Sequence, residues 1–146
     1  ITSLGTAAGI VESVKPGGLV AIGTKLDPSM TRSDSFIGSV IGKPGTLPDN
    51  ATLLKLDVNL FDSAVGSAVG STVDSLTDLQ VKPIQTGELL RLNIGTAPVL
   101  GKVTKVKSSN IEIELRRPAC IFENGRVAIS RKIAERWRLI GAGIVG

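Results

Sequence analysis

The chain has 146 residues, 42% of them hydrophobic, and a formal net charge of +4; that is enough to bury a core in one ordinary domain or two small ones. It has no histidine and a single cysteine, which excludes, within this chain, histidine-dependent triads, His–Cys zinc sites, imidazole acid–base chemistry and a disulfide framework. No apolar run reaches the length of a membrane span and no signal peptide is visible, so a reducing, cytoplasmic setting is expected.

Strand-like runs recur along the chain, separated by Gly, Pro, Asn and Asp. The first part offers Ile1–Leu4, Ile10–Val14, Gly18–Thr24 and Ile37–Gly42, with turns at Lys15-Pro16-Gly17, Asp27-Pro28 and Lys43-Pro44-Gly45. Helix is confined to one short turn over Met30–Ser35. Pro48-Asp49-Asn50 reads as a linker, so the expected modules are 1–47 and 48–146. The second module offers Thr52–Leu60, Glu88–Ile94, Gly101–Val106, Ile111–Leu115, Ala119–Phe122, Arg126–Lys132 and Trp137–Val145. That is enough to close a barrel, whereas the four short strands before Pro48 are not. Glu112 and Glu114 alternate with Ile111, Ile113 and Leu115, the two-residue period of a half-buried strand. Ser108-Ser109-Asn110 reads as a hairpin turn. Asp62–Asp78, rich in Ser, Ala, Val, Gly and Thr, reads as a flexible insertion in which Gly66 and Gly70 break any helix.

Charge is unevenly spread. Residues 101–146 hold ten Lys/Arg against four carboxylates, a net +6, while residues 49–100 carry −3. Such asymmetry points towards an anionic partner, nucleic acid being the usual one; the plainer alternative is a solvated basic face. Arg116-Arg117, Arg131-Lys132 and the pair Arg136 and Arg138 around Trp137 are candidate phosphate contacts. On a strand, Arg136 and Arg138 share the face opposite Trp137. The competing reading pairs these arginines with acids such as Glu135 or Glu123. Trp137 reads as a core or interface anchor. The few aromatics (three Phe, one Trp, no Tyr) argue against a sheet that stacks bases, and Cys120, among hydrophobes, reads as a packed side chain.

Thr24-Lys25-Leu26-Asp27 matches the guanine-reading pattern of GTPases, but no glycine-rich phosphate loop with its lysine precedes it. Gly66 to Thr72 has the wrong spacing and no lysine. A strand end entering the Asp27-Pro28 turn explains the match without a nucleotide.

Longer strings carry a family resemblance. Lys15-Pro-Gly-Gly-Leu-Val-Ala-Ile-Gly-Thr-Lys-Leu-Asp-Pro28, Thr31-Arg-Ser-Asp34 and Ile37-Gly-Ser-Val-Ile-Gly42 resemble the second domain of the gamma subunit of translation initiation factor 2. Gly87-Glu-Leu-Leu-Arg-Leu-Asn-Ile-Gly-Thr96, Glu112-Ile-Glu-Leu-Arg-Arg-Pro-Ala-Cys120, Ala128-Ile-Ser-Arg-Lys132 and Arg136-Trp-Arg-Leu-Ile-Gly141 resemble its third domain. The resemblance implies an all-β chain of translation-factor β-barrels: part of the second-domain barrel, then a complete third-domain barrel. It implies a parent that carries methionyl initiator tRNA to the small ribosomal subunit with alpha and beta subunits, using GTP and Mg in an N-terminal domain absent here. This chain would be a binding platform with no catalytic site and no cofactor, touching no membrane. The loop Gly5-Thr6-Ala7 would help hold the tRNA acceptor end. The basic surface near RNA would be drawn from Lys102, Lys105, Lys107, Arg116, Arg117, Arg131, Lys132, Arg136 and Arg138. The chain departs from the family pattern at Ala142, where many relatives carry Trp, and around Phe61–Asp78. Pro118-Ala119-Cys120 and Lys25-Leu26-Asp27 resemble eukaryotic members more than archaeal ones. Starting in mid-strand at Ile1, the chain reads as a fragment. Two further readings stay open: an aminoacyl-tRNA elongation factor of the same superfamily, against which Arg136-Trp-Arg-Leu-Ile-Gly141 speaks, and a stand-alone β-barrel interaction module.

Overall fold

A computed structural model describes residues 1–65 and 80–146. The chain divides into two compact units, Ile1–Phe36 and Ile37–Gly146. The expected insertion starts inside a strand, because residues through Val65 are extended; its remainder, including Gly66 to Thr72, lies outside the described residues.

The first unit holds a three-stranded antiparallel sheet in the order β2-β1-β3, from β1 (Ser3–Thr6), β2 (Gly9–Val11) and β3 (Ala21–Gly23). β1 and β2 meet through a two-residue turn, Ala7-Ala8, with Thr6 opposite Gly9. A short 3-10 helix follows at Pro28–Asp34, about where the sequence places one turn. Proline at its start suits a position whose N–H has no intrahelical partner.

The second unit contains a closed six-stranded barrel, ordered β4-β7-β6-β5-β8-β9 and antiparallel throughout. Its strands are β4 (Asn50–Val65), β5 (Leu89–Ile94), β6 (Ala97–Lys107), β7 (Asn110–Cys120), β8 (Arg126–Ile133) and β9 (Arg136–Val145). Ile111–Leu115 and Ala119–Phe122, expected as separate strands, merge into β7 apart from the last two residues. β4 closes the barrel: Asn50 to Asp57 pair with β7, and Leu56 to Val65 pair with β9. The interior is aliphatic. Leu54, Leu56, Leu90, Leu92, Val103, Ile113, Val127, Ile129 and Ile140 are almost completely buried. These positions follow the two-residue alternation of their strands, as a barrel filled by its own side chains requires.

Ile37–Gly42, expected as a strand, is not one. Gly38 has φ +84, a conformation open to glycine at little steric cost. A Cβ there would sit 2.5 Å from Ala97, so the backbone turns and presses onto the start of β6 instead of extending.

Candidate nucleic-acid interface

The nine candidate cations fall into very different surroundings. On β6, Lys105 Nζ lies 3.6 Å from Glu112 Oε1 on β7, and Lys102 stands directly opposite Glu114. Lys55 on β4 faces Glu112 from the other side. The outer face of β4, β7 and β6 is therefore a lattice of alternating signs. Cross-strand pairs of this kind hold a sheet together modestly and leave little net field. Lys107 stands beyond the lattice, opposite Asn110 at the hairpin end.

Arg131 is engaged inside the chain. Its Nε donates to Glu88 Oε1 at 2.5 Å and its Nη2 to Glu88 Oε2 at 3.1 Å. Nη1 also donates to the carbonyl of Lys82 at 2.8 Å, and Nη2 to that of Pro83 at 3.3 Å. This two-pronged grip uses the planar fork of arginine. It ties the segment before β5, whose Ile84 is buried in the core, to β8. Lys132 Nζ reaches Glu135 Oε2 at 2.5 Å across an exposed turn, so the local pairing suggested by sequence holds there. Arg131 instead found Glu88, far away in sequence. No local pattern pointed to that partner.

Arg138 corrects an expectation. It is 3% exposed. Two residues along β9, Ile140 is also buried, and strand alternation puts both on one face. Arg136 shares that parity but lies at the start of β9 beside the turn, and is exposed. A shared face did not mean a shared ridge, because the barrel wall covers only one of the two.

Arg116 and Arg117 sit on an irregularity. The register passes from Leu53↔Glu114 to Ala51↔Ala119, two steps along β4 against five along β7. Arg116, Arg117 and Pro118 are exposed there, between buried Leu115 and Ala119. Pro118 has no N–H to give the ladder, which makes a break at this place natural. Arg117 Nη2 donates to the carbonyl of Pro98 at 2.9 Å. Pro118 within an otherwise strand-like run was the sequence signal for this bulge.

In the first unit, Gly5 and Thr6 lie on β1 and Ala7 in the turn that follows. The Ala8 N–H donates to Thr6 Oγ1 at 3.2 Å. Thr6 and Ala7 border an open hollow of about 500 Å³ whose other walls include Val11, Lys15 and Leu19. Thr24-Lys25-Leu26-Asp27 is a capping turn. The Leu26 N–H donates to Thr24 Oγ1, and the Ser29 N–H donates to Asp27 Oδ1 at 2.8 Å, so Asp27 caps the 3-10 helix. The Ser29 backbone N–H, and secondarily its hydroxyl, hold the Asp27 carboxyl below its ordinary range. In this fold Asp27 serves as a helix cap, which accounts for the match without a nucleotide. Among the described residues, no group of three or more His, Cys, Asp or Glu is placed to hold a metal ion. No helix of the described residues is long and apolar enough to cross a membrane.

The barrel is aliphatic inside, and its charged side chains, the buried Arg138 apart, lie on strand exteriors, turns and register shifts. The family described as "Initiation factor eIF2 gamma, C terminal" matches residues 52–145. Proteins named translation initiation factor 2 subunit gamma are similar over 145 residues, 99% of this chain: that of Aeropyrum pernix at 46% identity, of Archaeoglobus fulgidus at 44% and of Pyrococcus furiosus at 47%. The chain spans about a third of the length of these relatives (33%, 32% and 33%). It belongs to the initiation factor 2 gamma family, and its barrel is that family's C-terminal domain. The three relatives are archaeal, whereas the resemblance at Pro118-Ala119-Cys120 leaned towards eukaryotic members.

Proposed function

We propose that this chain is a binding platform within a GTP-dependent carrier that brings methionyl initiator tRNA to the small ribosomal subunit in the cytoplasm, together with alpha and beta subunits. In this reading residues 1–47 belong to the second domain and 48–146 form the third. GTP and Mg would be held by an N-terminal domain outside this chain, and Gly5-Thr6-Ala7 would lie beside the tRNA acceptor end. One observation carries the reading: the family match covers the barrel, and that barrel keeps Lys107, Arg116, Arg117 and Arg136 at its surface without an ion pair among the described residues. Cations so placed suit sequence-independent contact with phosphates.

The test is the binding of a tRNA transcript by the 146-residue chain across a salt series. Log affinity is expected to fall linearly with log salt, as contact with several phosphates requires. A flat salt response, or no binding at low salt, overturns the reading.

A further inference from the structure

We infer that the Arg116-Arg117 bulge of β7 is a built phosphate clamp for an RNA backbone; this rests on the platform reading above and narrows it to one place. Sorting the nine cations by their present occupation leads there. Lys102 and Lys105 face Glu114 and Glu112 across the sheet. Arg131 is gripped by Glu88 and two carbonyls, Lys132 pairs with Glu135, and Arg138 is buried. Lys107 and Arg136 are single cations on separate hairpins.

Only Arg116 and Arg117 are adjacent, exposed and without an ion pair among the described residues. Their backbone is held on both sides by buried Leu115 and Ala119, so the bulge stands on the barrel wall and not on a loose loop. Bulges re-aim side chains, and at this one Arg116 and Arg117 are both exposed and have no acidic register partner, unlike Lys102 and Lys105 on the neighbouring strand. The Pro98 carbonyl takes one N–H of Arg117. That contact restricts the side chain while leaving its other donors available, which lowers the ordering cost of gripping a phosphate. The Arg116 side chain makes no hydrogen bond or ion pair among the described residues. Two neighbouring guanidiniums on a rigid ledge match successive phosphates of a strand better than isolated lysines do.

The experiment compares the 146-residue chain with Arg116→Gln, Arg116→Gln/Arg117→Gln and Lys102→Gln/Lys105→Gln, using a tRNA transcript over a potassium chloride series. The double arginine variant should lose about tenfold in affinity, with a log–log salt slope shallower by about 1.5. Arg116→Gln alone should lose roughly half of that slope change. Lys102→Gln/Lys105→Gln removes the same charge and should move the slope little. Thermal unfolding checks that each variant is folded; Arg116→Gln breaks no side-chain bond among the described residues and keeps the test decisive if Arg117→Gln harms the barrel. Equal losses from the lysine pair, or no loss from the arginines while the parent chain binds, overturn the clamp and leave the platform reading standing. Failure of the parent chain to bind overturns the platform reading itself, and the clamp with it. Inorganic phosphate that displaces the tRNA at about its own binding concentration would make this a free-anion site and overturn the assignment to RNA.

Discussion

Arg131 and Arg138 face each other across β8 and β9 as register partners. Like charges directly opposite on a sheet repel, so the arrangement needs a neutralising group. Glu88 supplies one, with both carboxylate oxygens on the Arg131 fork. The pair is largely buried, at 16% and 20% side-chain exposure, so it is screened weakly and cannot be broken cheaply. Glu88→Gln should lower stability by about 2 kcal/mol, read from the urea midpoint. Arg131→Met should cost a similar amount while leaving the salt slope of tRNA binding unchanged. A phosphate contact would behave in the opposite way, with the slope moving and the midpoint staying. Arg138→Ala removes a side chain that is 3% exposed and should lower the urea midpoint, whereas Arg136→Ala, exposed at the start of β9, should leave it nearly unchanged. That contrast separates two arginines which the primary structure presents as equivalent.

At the scale of elements, the β8–β9 turn is under local strain. Ala134 and Glu135 both have positive φ, +46 and +62, in a two-residue connection between Ile133 and Arg136. Tight hairpins of this form favour Asn-Gly, because neither residue then pays the steric cost of a left-handed backbone. Ala134→Asn/Glu135→Gly should raise the urea midpoint by the equivalent of about 1 kcal/mol, even though it removes the Lys132–Glu135 pair. That pair is exposed and contributes little. Most barrel strands were legible beforehand because their alternation of apolar and polar residues is clean, as in Ile111 to Leu115. The failure at Ile37–Gly42 has a different cause. Its apolar residues do follow a strand-like pattern, but extension also needs a paired neighbour, and Gly38 takes the chain into a turn against Ala97 instead. Around Pro118 the sequence divides the run into two strands, where the structure has one strand with a register shift. The size of that shift depended on β4, which sets the register on the other side.

For the barrel as a whole, closure depends on one long strand and one thin seam. β4 leaves β7 near Asp57 and runs on along β9. At the second seam a Cβ on Gly141 would stand 2.5 Å from the Asn59 carbonyl oxygen and 3.0 Å from Leu60 Cα. Those are backbone atoms of the closing strand and cannot move aside without opening the ladder. Gly141→Ala should therefore destabilise the barrel by about 2 kcal/mol, with faster amide exchange along the β4–β9 seam. Gly143→Ala should cost less, because its Cβ would first meet the Leu56 side chain at 3.1 Å. Both glycines lie on this seam, so equal effects would show that contact with the β4 backbone is not what sets the cost.

Composition and strand alternation by themselves determined that this chain is all-β, aliphatic in its core, free of histidine chemistry and basic towards its C-terminal end. Those properties are local sums and periodicities, so they need no knowledge of what lies across the barrel. Which cations remain available to a partner was decided only by the tertiary structure. Arg131 meets Glu88 from a distant part of the chain, Arg138 falls on the covered side of the wall, and Arg116 and Arg117 stay exposed at a register shift. Each outcome depends on which side chain ends up opposite which, and pairing across a closed sheet sets that through contacts remote in sequence.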